Sequence, residues 1–150
     1  MQLETSRFGL IQYDVEELII FREGLLGFEH LKDFLLLPFE GNPVFFWLQS
    51  IEDGNVAFLA TDPFWFFPDY GLEIDDELKK TLQITERKQV VVYTICTVPG
   101  TNIKDMTTNL VGPLIINAES RQGAQYILND YKYHTKHALF KEAPKTGVGS

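Results

Sequence analysis

Catalysis needs convergent groups, and this sequence offers few sets of them. Carboxylates are plentiful, and Asp53, Asp62, Asp69 and Glu73 crowd around Trp65 and Tyr70. Paired acids beside aromatic rings are the equipment of glycoside hydrolysis, where one acid protonates the leaving oxygen and the other acts as base or nucleophile. A carbohydrate-binding β-barrel using Trp65, Asp69 and Glu73 is therefore the ligand-binding alternative, although no spacing selects it. His134 and His137 lie three apart and can share a face, but no cysteine or carboxylate stands near them at ligand spacing. No metal is expected. Cys96 is the single cysteine, which excludes an internal disulfide and any multi-cysteine metal site. It ends the apolar run Val90-Val91-Val92-Tyr93-Thr94-Ile95-Cys96 and reads as a small buried hydrophobe rather than a nucleophile. There is no Gly-x-Ser-x-Gly elbow and no glycine-rich phosphate cradle. The chain reads as a non-enzyme with no cofactor.

The densest chemistry is the stretch Asp62-Pro63-Phe64-Trp65-Phe66-Phe67-Pro68-Asp69-Tyr70-Gly71, with five aromatic rings in ten residues. Proline removes a backbone donor and fixes φ, so neither a helix nor a central strand is expected to run through it. It reads as a corner or edge crossing whose rings divide between core and surface. Surface aromatics mark contact sites. A second stretch, Phe21-Arg22-Glu23-Gly24-Leu25-Leu26-Gly27-Phe28-Glu29, brackets two leucines with glycines that permit a sharp bend. Leu25 and Leu26 are either core plugs or an exposed apolar anchor. A third, Thr108 to Asn117, reads as two strands joined at Gly112-Pro113, with asparagines that bond local backbone.

The elements that must position these residues are short apolar runs separated by turn signals, with almost no 3.6-residue period. Strands are expected at 2–7, 10–13, 18–21, 34–39, 44–49, 56–60, 71–74, 89–98, 103–110, 114–117 and 124–128. Hairpin turns are expected at Glu40-Gly41-Asn42-Pro43, Glu52-Asp53-Gly54-Asn55 and Pro99-Gly100-Thr101-Asn102. One helix is expected from Asp76 to Leu82, capped by Asp75, with Leu78 and Leu82 facing the sheet. The fold class is mainly β: a small, single-domain, highly curved β-barrel-like or β-sandwich fold with one short helix. The domain is expected to span residues 1–140, followed by a flexible tail over 141–150.

The net charge of −8 conceals an asymmetry. From Asp14 to Glu77 fifteen acidic residues face only Arg22 and Lys32, a local balance of −13, whereas Leu78 to Ser150 carries +5. Such a chain is poorly suited to holding nucleic acid and well suited to meeting a basic protein. Its first residues, with Glu4 and Arg7 and no apolar block behind a basic start, do not read as a signal peptide, and no apolar run is long enough to cross a bilayer. A cytoplasmic monomer that contacts neither membrane nor nucleic acid is the default expectation.

In combination, several fragments resemble the FliW family of flagellar assembly factors. These are Phe21-x-x-Gly24-Leu25-x-Gly27-Phe28, Leu48-Gln49-Ser50, Phe58, Asp62-Pro63, Pro68-x-Tyr70 and Asn109-Leu110-x-x-Pro113-x-x-x-Asn117. The likeness spans residues 2 to 140 in order, with Gly112 and Lys136 as mild departures from common family residues. It implies a small β-barrel-like protein without catalytic activity. It also implies a binding partner in CsrA, an RNA-binding translational regulator that the family antagonises without sharing its RNA site. Flagellin is the second implied partner: accumulating in the cytoplasm, it would occupy the protein and free CsrA to repress flagellin synthesis, and its secretion would reverse the switch. For such contacts the expected anchors are Phe64, Trp65, Phe66 and Tyr70, with Asp69 and Glu73 as flanking charges and Leu25 and Leu26 as second choices.

Overall fold

The computed structural model describes residues 1–140, so the tail expected over 141–150 lies outside the described residues. Eleven short strands and two short α-helices make up the fold. β3 (Ile19–Phe21), β4 (Asp33–Pro38), β5 (Phe45–Ser50), β6 (Ala57–Thr61) and β7 (Val90–Thr97) follow one another as antiparallel neighbours. β7 also pairs with β9 (Leu114–Asn117), β9 with β10 (Gln122–Gln125), and β10 returns to β3 in parallel. These seven strands close into a barrel, so the polar edges of an open sheet are paired away.

The barrel follows from alternation along each strand. Ile19, Phe21, Phe34, Leu48, Leu114 and Ile116 point inward and form the central cluster. Gly123 on β10 makes this possible, because a Cβ there would stand 2.7 Å from the Phe21 ring. Outward residues are covered by appendages. The hairpin of β1 (Gln2–Thr5) and β2 (Gly9–Gln12) lays Leu3 and Ile11 over Tyr13, Leu18 and Leu35. Helix α2 (Asp76–Thr81) packs Leu78, with Leu82 just beyond its end, onto Val92 and Ile115. Asp75 caps it by accepting from the Leu78 N–H at 2.8 Å, as its sequence implied. The three expected hairpin turns join β4 to β5, β5 to β6 and β7 to β8 (Thr107–Thr108).

Some expectations need correction. Residues 71–74 pair with no strand. Their alternation is real, since Leu72 and Ile74 pack beside α2, but the segment crosses the outside of a closed barrel and has no neighbour to bond. The strand expected over 103–110 begins as a 3-10 turn, Ile103–Asp105, capped by Asn102, and only Thr107 and Thr108 pair. The aromatic corner contains a helical turn, α1 (Pro63–Phe66), where none was expected. Pro63 occupies the first helical position, where its missing donor is no loss, and Pro68 follows the end. Two prolines bracket this turn instead of forbidding it.

Candidate protein-binding face

Asp62 starts α1 by accepting from the Phe64 N–H at 2.9 Å, and the Phe67 N–H closes the turn on Pro63 O at 2.8 Å. With only four residues, this turn cannot turn one face inward and bury every ring. Phe66 and Phe67 pack inward beside Phe45, Cys96, Met106 and Leu139. Phe64 stays 40% exposed and Trp65 69% exposed. The corner therefore presents a large indole on a backbone fixed by a cap, two prolines and two half-buried rings.

Tyr70, only 6% exposed, ties the corner to the body. Its hydroxyl donates to Leu110 O at 2.6 Å, and its ring meets Tyr133 edge-on at 4.9 Å and Phe64 at 5.6 Å. Burial, and next the neighbouring Tyr133, push its phenol pKa far above the ordinary tyrosine range, so it is a permanent donor. Asp69 and Glu73 are exposed beside it. A groove of about 700 Å³ opens next to Phe64 and Tyr70, walled by Leu72, Ile74, Ile84 and Val92.

The expected site residues thus divide. Phe64, Trp65, Asp69 and Glu73 share the surface of one corner. Phe66 is partly covered, and Tyr70 is interior and acts as a fastener. Leu25 and Leu26 lie outside the corner, on the Gly24–Gly27 loop, and differ from each other in role. Leu25, 2% exposed, belongs to the central cluster, while Leu26 projects with 63% exposure on a loop whose N–H is held by Gln125 Oε1 at 2.9 Å. Gly24 shapes that loop at φ +69°, where a Cβ would overlap the Glu29 backbone at 2.6 Å. The side chains of Leu25 and Tyr70 are closed to an outside partner in this conformation. Asn109 and Asn117 bond backbone: Asn109 accepts from Val111 and Gly112, and Asn117 bridges Leu82, Gln83, Glu119 and Ser120.

Three features went unread in the sequence. Tyr133, His137 and Phe140 form a C-terminal strap behind the corner, against Tyr70, Phe67 and Phe66 respectively. The aromatic spacing of Tyr131-Lys132-Tyr133-His134 and the apolar Ala138-Leu139-Phe140 were the available signals. The strap's β11 (His137–Ala138) extends β8, and the groove beside α2 could not be foreseen without the tertiary fold.

Among the described residues, the candidate catalytic groups named from the sequence do not converge on one site. Glu73 borders the groove, but Asp69 and Trp65 are not among its walls, so the carbohydrate constellation is not gathered in one cavity. Cys96 is buried, and burial raises its thiol to about 11 against a weaker opposing hydrogen bond with Thr108. Among the described residues no cluster of three or more His, Cys, Asp or Glu could hold a metal. Both histidines of the C-terminal pair instead accept backbone N–H groups, from His134 to His137 Nε2 at 3.0 Å and from Lys136 to His134 Nδ1 at 3.4 Å. Among the described residues, no helix is long and apolar enough to cross a membrane.

The negative charge is largely uncompensated. Among the described residues the ion pairs are Lys79–Asp76 at 4.0 Å and Lys88–Glu86 at 3.8 Å, both exposed. Asp62, Asp69, Glu73, Asp75 and Glu77 enter neither, while Lys79 and Arg87 line the groove that Glu73 borders.

Comparison with known proteins meets this geometry at every level. The sequence model of the FliW protein family matches residues 2–139. The flagellar assembly factor FliW of Moorella thermoacetica is 46% identical over 143 residues, covering 95% of this chain and 90% of the relative. That of Treponema denticola is 40% identical over 147 residues, covering 98% and 99%. A crystal structure of the flagellar assembly factor FliW superposes with a TM-score of 0.88 at 37% identity, over 95% of this chain and 99% of that one. With its closed barrel, capped corner and buried Asn117 all inside the matched span, the chain belongs to the FliW family of flagellar assembly factors.

Proposed function

We propose that the protein works by contact and not by catalysis, as a cytoplasmic partner-switching regulator of flagellin synthesis. It binds the basic RNA-binding regulator CsrA and relieves its repression, and it binds flagellin, whose accumulation returns CsrA to its messenger. The single observation that carries this reading is the exposed Trp65, seated on a stiff turn amid unpaired carboxylates. Affinity at protein interfaces concentrates in a few aromatic anchors ringed by polar groups, while complementary charge sets encounter rate and specificity.

The antagonism follows from electrostatics. A regulator that holds RNA must carry positive charge, and an acidic surface attracts it. Once docked away from the RNA site, the same carboxylates repel phosphates. That repulsion reaches about 8–10 Å at physiological salt, so docking need only be adjacent to the RNA path. Phe64, Trp65 and Phe66 supply the apolar contact, Asp69 and Glu73 the flanking charge, and Leu26 a second contact point. Tyr70 and Leu25 hold the frame. The protein acts as a monomer without metal or cofactor.

The test is Trp65→Ala, with CsrA affinity and flagellin affinity measured beside thermal melting. Loss of at least tenfold in CsrA affinity is expected, since an anchor is worth about 2 kcal/mol or more, with an unchanged melting curve. Retained affinity for both partners refutes the face. Parallel loss of stability and binding would make the indole a packing element.

A further inference from the structure

The strap behind the corner is held at one place by an unusual contact. The His134 and His137 rings stack at 3.8 Å between centroids and 20° between planes. His137 Nε2 accepts from the His134 N–H, and the His134 carbonyl in turn accepts from the Leu110 N–H at 3.2 Å. Leu110 is also the residue whose carbonyl receives the Tyr70 hydroxyl. On its other sides the His137 ring meets Phe67 at 5.9 Å and Tyr133 at 6.1 Å. The Tyr133 hydroxyl accepts from the Gly71 N–H at 2.7 Å. One imidazole therefore touches both the strap and the corner.

We propose that His137, stacked on His134, is a proton-operated latch, which clamps the C-terminal strap to the aromatic corner while its ring is neutral and releases it when the ring is protonated. The nitrogen that accepts the His134 N–H becomes a donor on protonation, so two N–H groups would face each other. The groups facing His137 offer no relief. The corner contributes the uncharged Phe67 ring, β8 contributes Thr108 opposite it, and its own segment contributes Tyr133, His134 and Lys136. Burial, and then the field of His134, hold its proton affinity below the ordinary histidine value, with no carboxylate among the causes. A ring whose closed-state pKa is lowered favours the closed state above about 6.5 and loses that preference as pH falls toward the lowered value. The effect of release on partner binding rests on the docking reading above, but the latch itself does not.

The experiment is amide hydrogen exchange by NMR on the full chain from pH 7.5 to 5.0, corrected for intrinsic exchange. Protection at His134 and Gly71 should fall by up to about tenfold per pH unit below about 6.5 for each proton taken up. His137→Gln, whose carbonyl can accept the same N–H without titrating, should flatten that dependence. Flat protection in the natural chain overturns the latch. Should His137→Gln disorder the strap at every pH, the ring-proton chemical shift of His137 in the natural chain serves instead: its titration should coincide with the loss of protection, and a titration that leaves protection unchanged overturns the latch. Partner affinity of Trp65→Ala at pH 7.5 separates the two readings. A working latch on a chain whose Trp65→Ala variant binds normally supports the latch and sinks the docking face.

Discussion

Removing one oxygen from Tyr70 tests whether the corner is held from within. In Tyr70→Phe the ring keeps its contacts with Tyr133 and Phe64, and only the hydroxyl bond to Leu110 O is lost. Leu110 is buried, so water does not replace the donor, and the carbonyl is left without that partner. An orphaned buried acceptor costs about 1–3 kcal/mol, more than the net worth of a solvent-exposed bond. For a domain of this size each kcal/mol moves the melting midpoint by about 2–4 °C, so a fall of about 2–12 °C is expected. CsrA affinity at a temperature well below the midpoint should stay within about twofold, a change of under 0.5 kcal/mol. Circular dichroism melts and calorimetric titration on the same preparation measure both. An unchanged midpoint together with a large loss of affinity refutes the reasoning, because Tyr70 would then touch the partner and not Leu110.

A substitution and a labelling experiment probe the frame. Gly123→Ala places a methyl 2.7 Å from a Phe21 ring that is fully buried against Phe34, and overpacking of this kind costs about 1–3 kcal/mol. A lowered midpoint, partly restored by adding Phe21→Leu, is the expected melting result, and a neutral Gly123→Ala contradicts the close approach. The Cys96 thiol, raised to about 11, should react with a disulfide reagent at neutral pH only as fast as the chain opens. Stopped-flow labelling at the rate of a free thiol would disprove its burial.

The barrel was legible because its signals are local. Short continuous apolar runs in β4, β5 and β9 identified the strands, and Asp-Gly and Asn-Pro marked the hairpins. Asp75 followed by acidic and then basic residues bounded α2. Closure was not legible, because the contact between β3 and β10 is parallel and joins residues a hundred positions apart. For the site, the sequence identified the ten-residue stretch but could not sort its rings. Which ring is inside depends on Phe45, Leu110, Tyr133 and Phe140, and those lie on three other segments. Proline misled for a related reason: its effect changes sign with position, and only the Asp62 cap reveals Pro63 as a first residue and not a breaker.

A closed barrel constrains where a binding surface can be. Its strands spend their backbone groups on one another and their inward side chains on the core, so a partner finds no open edge in it to extend. Contact residues must come from the segments laid over the outside. Of these, the N-terminal hairpin lays Leu3 and Ile11 over the barrel and α2 lays Leu78, although Leu10 of the hairpin stays exposed. The corner differs because its turn is too short to hide all its rings, and because the strap behind it already occupies Phe66 and Phe67. Trp65 is left outside by this crowding while its backbone is immobilised by the same contacts. Rigidity and exposure then have one cause. A partner that bound the indole would meet a group whose ordering cost has already been met by folding.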